Sequence, residues 1–346
     1  MKILFVTDGI HTPASRFRCS QFFEHFEKSG IEVDIRYGYG AAYNDAINRP
    51  YALAYKAIGR LRRAYHQLFY KDADLIFLQR TAFPHSGLVE EVGSMRDVPI
   101  IFDFDDSLFV NGKGEFSARR GVAFATAVRV SNHLIAGNRY LANQAGRLDK
   151  TTIIPTVIDT EMYRPRIAPK SNAKIVVGWM GTAGNFPFLE SLVPELRLLL
   201  DRRSDVIVRI VSNRVFKPLA GVERVQQIQW SPQLEVDWLQ SFDIGLMPLV
   251  DSPLTRGKCA FKMIQYMAVG IPVVVSPVGA NLEVFESKES IGFMPTGEWF
   301  EALDALVDDT SLRRRMGAAG RERAVAEYSI ESVLPRYLNL FELVGG

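Results

Sequence analysis

The chain is poor in cysteine. Cys19 and Cys259 are its only two, and they lie far apart, so no disulfide scaffold and no paired-cysteine zinc or redox site can be built from them. No apolar run approaches the ~20 residues of a membrane span. No charge of one sign dominates: 41 Lys and Arg stand against 39 Asp and Glu, a net of +2, which gives no compositional case for nucleic acid as a partner. No GxGxxG follows a strand, so a dinucleotide cofactor finds little support. The opening MKILFVTDG reads as a strand and a turn, whereas a signal peptide has a longer apolar stretch and a small-residue cleavage site. The expected compartment is the cytoplasm.

What is present is material for two cores. The 346 residues are 47% hydrophobic and 23% charged, which excludes disorder as the main state and suggests two domains. Short apolar runs bounded by Gly, Pro and Asp alternate with helical stretches. Strands are expected at Lys2–Thr7, Glu32–Arg36, Asp74–Leu78, Pro99–Asp103, His133–Ala136 and Thr151–Pro155. A helix is expected over Ser15–Lys28. The polar, proline-bearing stretch Pro165–Lys174 reads as a linker, after which the pattern restarts. Strands are then expected at Lys174–Met180, Val206–Val211, Ile244–Pro248, Val273–Ser276 and Ile291–Met294, with a helix over Phe188–Leu200. From Ala302 to Val344 the pattern is helical, broken near Tyr328–Ser329. Buried runs alternating with helices indicate a parallel sheet covered on both faces, here twice. The fold class is therefore α/β, with two tandem Rossmann-like domains, over residues 1–165 and 172–329.

Open α/β sheets bind ligands beyond the carboxyl ends of their strands, so the residues there carry the functional reading. After the first strand, Gly9 opens a loop leading to Ser15, Arg16 and Arg18, a candidate anion or acceptor loop at a helix N-terminus. After the fourth come Asp103, Asp105 and Asp106, candidate catalytic carboxylates. Three carboxylates in four residues are costly unless they bind something. With no His or Cys nearby a transition metal is not expected, while magnesium stays open. After the first strand of the second domain, Gly181 and Thr182 lie in a glycine-rich turn that lets a phosphate approach the backbone. Cys259–Val269 reads as a helix, with Lys258, Lys262 and Gln265 on one polar face and Arg256 beside its start. Cations normally avoid that end of the dipole, so an anion is expected there. Gly279, Ala280, Asn281 and Glu283 form another post-strand loop opening a helix.

Two segments carry a resemblance. Gln265-Tyr266-Met267-Ala268-Val269-Gly270-Ile271-Pro272-Val273-Val274 matches the tail of a motif of the GT-B glycosyltransferases, in particular the retaining family 4 group (glycosyl transferase group 1). Ile153–Pro165 resembles the interdomain segment of that group. Arg323 to Ser329 looks like the start of its C-terminal helices, which cross back to the first domain. The resemblance implies two domains facing a central cleft, with helix 330–346 packing on the first. It also implies an acceptor side on the first domain and a nucleotide-sugar side on the second. The sequence departs from the pattern in several places. The family's ribose-contacting acid is Gln265 here, and its first acidic position falls near Gly257. Its Arg and Lys are absent from Gly178–Asn185, and its histidine aligns with Asp105. The chain therefore looks like a divergent subgroup.

The reaction implied is transfer of a sugar from a nucleotide diphosphate sugar to a glycan or lipid-linked acceptor, with retention. No cofactor is implied, and no metal if protein cations neutralise the diphosphate. A nucleotide-sugar 2-epimerase and a degenerate, non-catalytic transferase subunit are the alternatives. An NAD-dependent oxidoreductase is disfavoured by the missing glycine motif. Finally, Tyr51–Tyr70 places Lys56, Arg60, Arg62 and Arg63 around an apolar side made of Ile58, Leu61, Tyr65, Leu68 and Phe69. Such a helix suits either core packing with a solvated basic flank or the surface of an anionic membrane.

Overall fold

The computed structural model describes residues 1–41, 50–167, 174–285 and 290–346. The expected linker lies mostly outside the described residues, at 168–173. Two compact units emerge. The first comprises Met1–Val157, Ser252–Cys259 and Ile330–Gly346, the second Ile158–Asp251 and Ala260–Ser329.

The first unit is built on β1 (Lys2–Gly9), β2 (Glu32–Tyr39), β3 (Leu75–Gln79), β4 (Ile100–Phe104), β5 (His133–Ala136) and β6 (Thr151–Ile153). They form a sheet in the order β2-β1-β3-β4-β5-β6, and every pairing is parallel, as in Ile3↔Val33, Ile3↔Leu75 and Ile101↔His133. Apolar residues run without alternation through β1, β3 and β4 because both faces are covered. The chain steps from β1 outward to β2 and then returns to β3 on the other side. The carboxyl ends of β1 and β3 therefore flank the point where the winding reverses.

Helices α1 (Pro13–Arg18), α2 (Phe23–Lys28), α3 (Ala52–Leu68), α4 (Leu88–Gly93), α5 (Ala118–Val130), α6 (Arg139–Ala145), α10 (Pro253–Arg256) and α15 (Ile330–Gly345) complete this unit. The single helix expected over Ser15–Lys28 is in fact two. Its periodicity is interrupted at Cys19 (φ −129°, ψ −68°) and by a 3₁₀ turn at Ser20–Phe22. Helix α15 buries Val333, Tyr337, Leu340 and Phe341. Its rings join those of the first strands and helices, with Phe22–Tyr337 centroids at 5.0 Å and Phe26–Phe341 at 5.2 Å. Burial of so many rings is a large apolar contribution to stability.

The second unit carries β7 (Ile175–Met180), β8 (Val206–Ser212), β9 (Val225–Gln229), β10 (Ile244–Met247), β11 (Val273–Val275) and β12 (Gly292–Phe293). Their order is β12-β11-β10-β7-β8-β9, so the winding reverses between β7 and β10. Strand β9 has no counterpart in the sequence reading. Its segment VQQIQ is only partly buried, as an edge strand can be, and lacks an apolar run.

Helices α7 (Phe186–Glu190), α8 (Val193–Arg202), α9 (Glu235–Gln240), α11 (Phe261–Ala268), α12 (Ala280–Phe285), α13 (Trp299–Asp308) and α14 (Thr310–Glu327) surround this sheet. The helix expected over Phe188–Leu200 divides between α7 and α8. Proline in the first turn of α8 starts a helix but cannot sit inside one. Among the described residues no helix is long and apolar enough to cross a membrane.

Candidate functional site

At the carboxyl end of the first sheet the side chains form a charge network. Arg18 leaves the end of α1 and is fully buried with Asp103 of β4. Its Nε donates to Asp103 Oδ2 at 3.2 Å and its Nη1 to the Ile154 carbonyl at 2.7 Å, while Nη2 reaches Asp103 Oδ1. Burial opposes the charge on Arg18, but the attraction of Asp103 overrides it and raises the guanidinium well above its ordinary value. This corrects two expectations. Arg18 is not exposed for an anion, and Asp103 is not exposed for chemistry. Ser15 is likewise internal, because its Oγ donates to Gln79 Oε1 at 3.0 Å and accepts from the Gly9 amide at 3.1 Å. Thr12, not Ser15, is the residue that precedes the helix. Arg16 lies over the Phe17 ring, 4.8 Å from its centroid.

Asp105 and Asp106 are gathered by a residue the sequence reading missed. Arg80 follows β3 and has φ of 61°, left-handed backbone that is uncommon outside glycine. Its Nε and Nη2 donate to Asp105 Oδ1 at 2.9 and 2.7 Å, its Nη2 to Asp106 Oδ2 at 2.7 Å, and its Nη1 to Asp8 Oδ2 at 3.4 Å. Arg63 of α3 supports this clamp from behind. It pairs with Asp8 and donates to the carbonyls of Gln79 and Arg80, the latter at 2.6 Å. Burial works against Asp105, yet Arg80 and then Arg18 hold it below the usual carboxylate range. Burial and the neighbouring Asp105 push Asp106 the other way. Its side chain is 41% exposed against 14% for Asp105, so Asp106 is the more accessible of the two. The only sequence signal for Asp8 and Arg80 is position: each sits at or just past the end of a strand flanking the winding reversal.

The structure also corrects the Cys259–Val269 helix. Ala260 is in left-handed backbone (φ 51°), and the helix begins only at Phe261. Arg256 and Lys258 therefore do not share a helix with Lys262. Ser252–Cys259 belongs to the first unit instead of the second. Specific bonds hold it there. Ser107 Oγ donates to the Pro253 carbonyl at 2.6 Å, and Asn138 Nδ2 reaches the Arg256 and Lys258 carbonyls, each at 3.1 Å. Cys259 Sγ donates to the Asp105 carbonyl at 3.2 Å. The approach is close enough to require glycine: a Cβ on Gly257 would stand 2.1 Å from Ser107 Oγ, and one on Gly137 2.3 Å from Cys259 Sγ. Lys258 here acts on Asp106 in the same sense as the stronger Arg80, but burial leaves that carboxyl raised on balance.

In the second unit, Gly181 and Thr182 follow β7. A Cβ on Gly181 would lie 2.7 Å from Lys262 Cε, so the lysine stem runs over this loop. Two loop amides already have acceptors: Gly181 N reaches the Val211 carbonyl at 3.0 Å and Ala183 N reaches Asn213 Oδ1 at 2.8 Å. Lys262 is thus the charge that α11 brings to the glycine turn. Gln265, expected on the same polar face, is 6% exposed, and its Nε2 donates to Glu235 Oε1 at 3.0 Å. Glu235 also accepts from Trp230 Nε1 at 2.9 Å and from the Tyr163 hydroxyl.

At the other end of this region Gly279 has φ of 55°, Ala280 is buried, Asn281 donates to the Ser276 carbonyl at 2.9 Å, and Glu283 is half-buried. Beside the Gly181 turn is an open hollow of about 320 Å³ lined by Ala183, Phe186, Glu190, Arg214, Phe216 and Lys217 among others. Neither Arg214 nor Lys217 belongs to a motif legible in the sequence.

Comparison with known proteins bears on the fold. Residues 198–339 match the glycosyl transferase-like family. No curated protein matches the chain by sequence. Three solved structures illustrate the likeness of fold. HepE of Anabaena, solved with UDP and glucose, is 16% identical and superposes with a TM-score of 0.68 over 99% of this chain and all of its own. A glycosyltransferase of Rickettsia africae is 13% identical, with a TM-score of 0.70 over 99% of this chain and 98% of that one. The lipopolysaccharide outer core galactosyltransferase WaaB is 12% identical, with a TM-score of 0.64 over 99% of each chain. The chain has the GT-B fold of these glycosyltransferase structures.

Proposed function

We propose that this protein is a glycosyltransferase that moves a sugar from a nucleotide diphosphate sugar to a glycan or lipid-linked acceptor, with retention, in polysaccharide biosynthesis. The observation that carries the reading is the cation of Lys262 laid over the glycine turn after β7, at the winding reversal of the second sheet, where ligands of such sheets bind. A lysine there suits a diphosphate, whose charge grows as the sugar leaves. Gly181, Thr182, Gln265, Gly279, Ala280, Asn281 and Glu283 complete the proposed donor side. Asp105 and Asp106 are the proposed carboxylates for the transferred sugar or the acceptor hydroxyl, with Asp106 the better presented. No metal is needed in this reading, because Lys262 supplies the charge. A lipid-linked acceptor goes with peripheral association at the inner face of the cell membrane.

The test is a thermal-shift screen of the intact protein against nucleoside diphosphates and nucleotide sugars, since a ligand of the native state raises its melting temperature. Lys262→Ala should weaken the binding diphosphate by roughly 10–150-fold, the worth of one charge-assisted contact of about 1.5–3 kcal/mol. If no nucleotide shifts the parent, or the variant binds as well, the donor site is wrongly placed. The loss of an acid at Gln265, whose amide is engaged by Glu235, favours a second reading, a non-catalytic subunit. Donor turnover with acceptor excludes that reading. Turnover without acceptor would indicate an epimerase.

A further inference from the structure

Helix α3 is folded inside out. Its apolar residues Leu53, Ile58, Leu61 and Tyr65, with Phe69 just beyond, are between 58% (Tyr65) and 83% (Leu53) exposed. The face turned to the sheet carries Gly59, Arg63, Ala64 and Gln67. Close approach explains the choice of residues. A Cβ on Gly59 would stand 2.1 Å from the Tyr39 ring, and Arg63 is consumed by Asp8 and the Gln79 and Arg80 carbonyls. The sheet-facing side is thus filled by small and polar groups, and the apolar side is left outside. Of the two expectations for this segment, core packing of the apolar side is the one the structure contradicts. The apolar side does not pack into the core, although Leu68 packs against the small cluster of Ala64, Ala82 and Val89, and Arg63 is no part of a basic flank.

The exposed apolar surface continues onto the neighbouring helices. Helix α4 packs between α3 and α5, and its approach to α5 is tight, for a Cβ on Gly87 would lie 2.4 Å from Thr126 Cβ. Leu88 and Val92, four residues apart on one side of α4, are exposed, and so is Met95 in the turn that follows it. Val122 of α5 is exposed as well. Isolated exposed hydrophobics need no explanation, but a run of them on α3 continued by others on two adjoining helices does.

Charge says what covers this surface. His85 is exposed, and slight desolvation, then the charges of Arg120 of α5, Arg60 of α3 and Arg119 of α5, hold it below its ordinary value. Lys56 and Arg62 lie on α3 as well, and Tyr51–Tyr70 contains no Asp or Glu. Of the nearby acids, Glu91 is bridged to Arg129. An apolar, tyrosine-bearing surface with a cationic rim and few free acids matches the boundary between headgroups and acyl chains of an anionic bilayer.

We propose that the α3–α4–α5 face of the first unit is a docking surface for an anionic lipid bilayer, entered by the exposed apolar side chains and held by the arginine rim. The proposal deepens the membrane-facing part of the reading above and is tested without the transfer reaction. The intact protein is sedimented at low salt with vesicles of mixed phosphatidylglycerol and phosphatidylcholine, and with phosphatidylcholine alone. Binding is expected to the mixed vesicles and to fall with salt. Arg60→Ser with Arg62→Ser should weaken it by about fivefold for each cation. Leu61→Ser with Ile58→Ser, and separately Leu88→Ser with Met95→Ser, should each weaken it while leaving nucleotide-induced thermal shifts unchanged. All six residues lie on the solvent side or its flank, and Arg63 is left intact. Failure of the parent to sediment overturns the proposal. So does equal binding by both apolar pairs, which would leave only a charged face. So does a parent dimer in light scattering that the apolar substitutions convert to monomer, for then a second copy covers this surface.

Discussion

Asp103→Asn should unfold the first unit before it affects any chemistry. The replacement keeps the size of the side chain and removes its charge. In the parent, Arg18 and Asp103 are both fully buried, joined through both carboxylate oxygens, and Arg18 also serves the Ile154 carbonyl at 2.7 Å. With asparagine, one position facing the guanidinium becomes an amide NH₂, a donor opposite a donor, and the arginine charge has no counter-charge at contact. Removing one partner of such a pair costs about 3–5 kcal/mol, a large part of a typical stability of roughly 5–15 kcal/mol.

Urea unfolding followed by far-UV circular dichroism measures the effect. All four tryptophans lie in the second unit, so their fluorescence reports that unit separately. The loss should therefore appear in circular dichroism at urea concentrations where tryptophan fluorescence is still native. Arg18→Met combined with Asp103→Leu should recover at least half of the loss, because the unpaired charge is gone and only the Ile154 carbonyl is left wanting a donor, worth about 1–3 kcal/mol. An Asn variant with the parent's midpoint would refute the argument. A double variant as unstable as the single one would show that the uncompensated charge is not the cause.

Arg80→Met should alter the acid limb of stability. Asp105 is held below its unfolded value, so it stabilises the fold above that unfolded value, near pH 4, and this contribution is lost as pH falls through the lower folded value. Without Arg80 the larger part of the contribution is lost while that of Arg18 remains, and acid melts followed by circular dichroism should show the variant converging on the parent only at the lowest pH. Gly257→Ala should destabilise by about 1–3 kcal/mol, the range for overpacking, since the new methyl would meet Ser107 Oγ at 2.1 Å and its amide nitrogen at 2.9 Å. Ser107→Ala should recover little, because the backbone nitrogen remains, and a melting temperature equal to the parent's would count against the contact.

Much of the architecture was legible in the chain itself. Buried strands of a parallel sheet need apolar side chains on both faces, so LIFL at β3, IIF at β4 and VVV at β11 announce themselves within a residue or two. Post-strand loops follow from the same pattern, and with them Asp105, Asp106 and Gly181. Strand β9 was not legible because an edge strand with VQQIQ has little to bury. Helix boundaries were not legible where one backbone angle decides: periodicity runs through Cys19 and Ala260, yet the chain turns at both. Which charges are internal could not be read locally at all. Arg18 and Asp103 are 85 positions apart, and Arg63, Asp8 and Arg80 meet only where α3, β1 and β3 converge. The same holds for the outward apolar side of α3. Its sequence specifies an amphipathic helix, but which side faces the sheet depends on what the sheet offers, here the Tyr39 ring and the Asp8 carboxylate. Local propensity and periodicity act over a few residues, whereas burial of a charge or a face is settled by partners that only the folded chain brings into range.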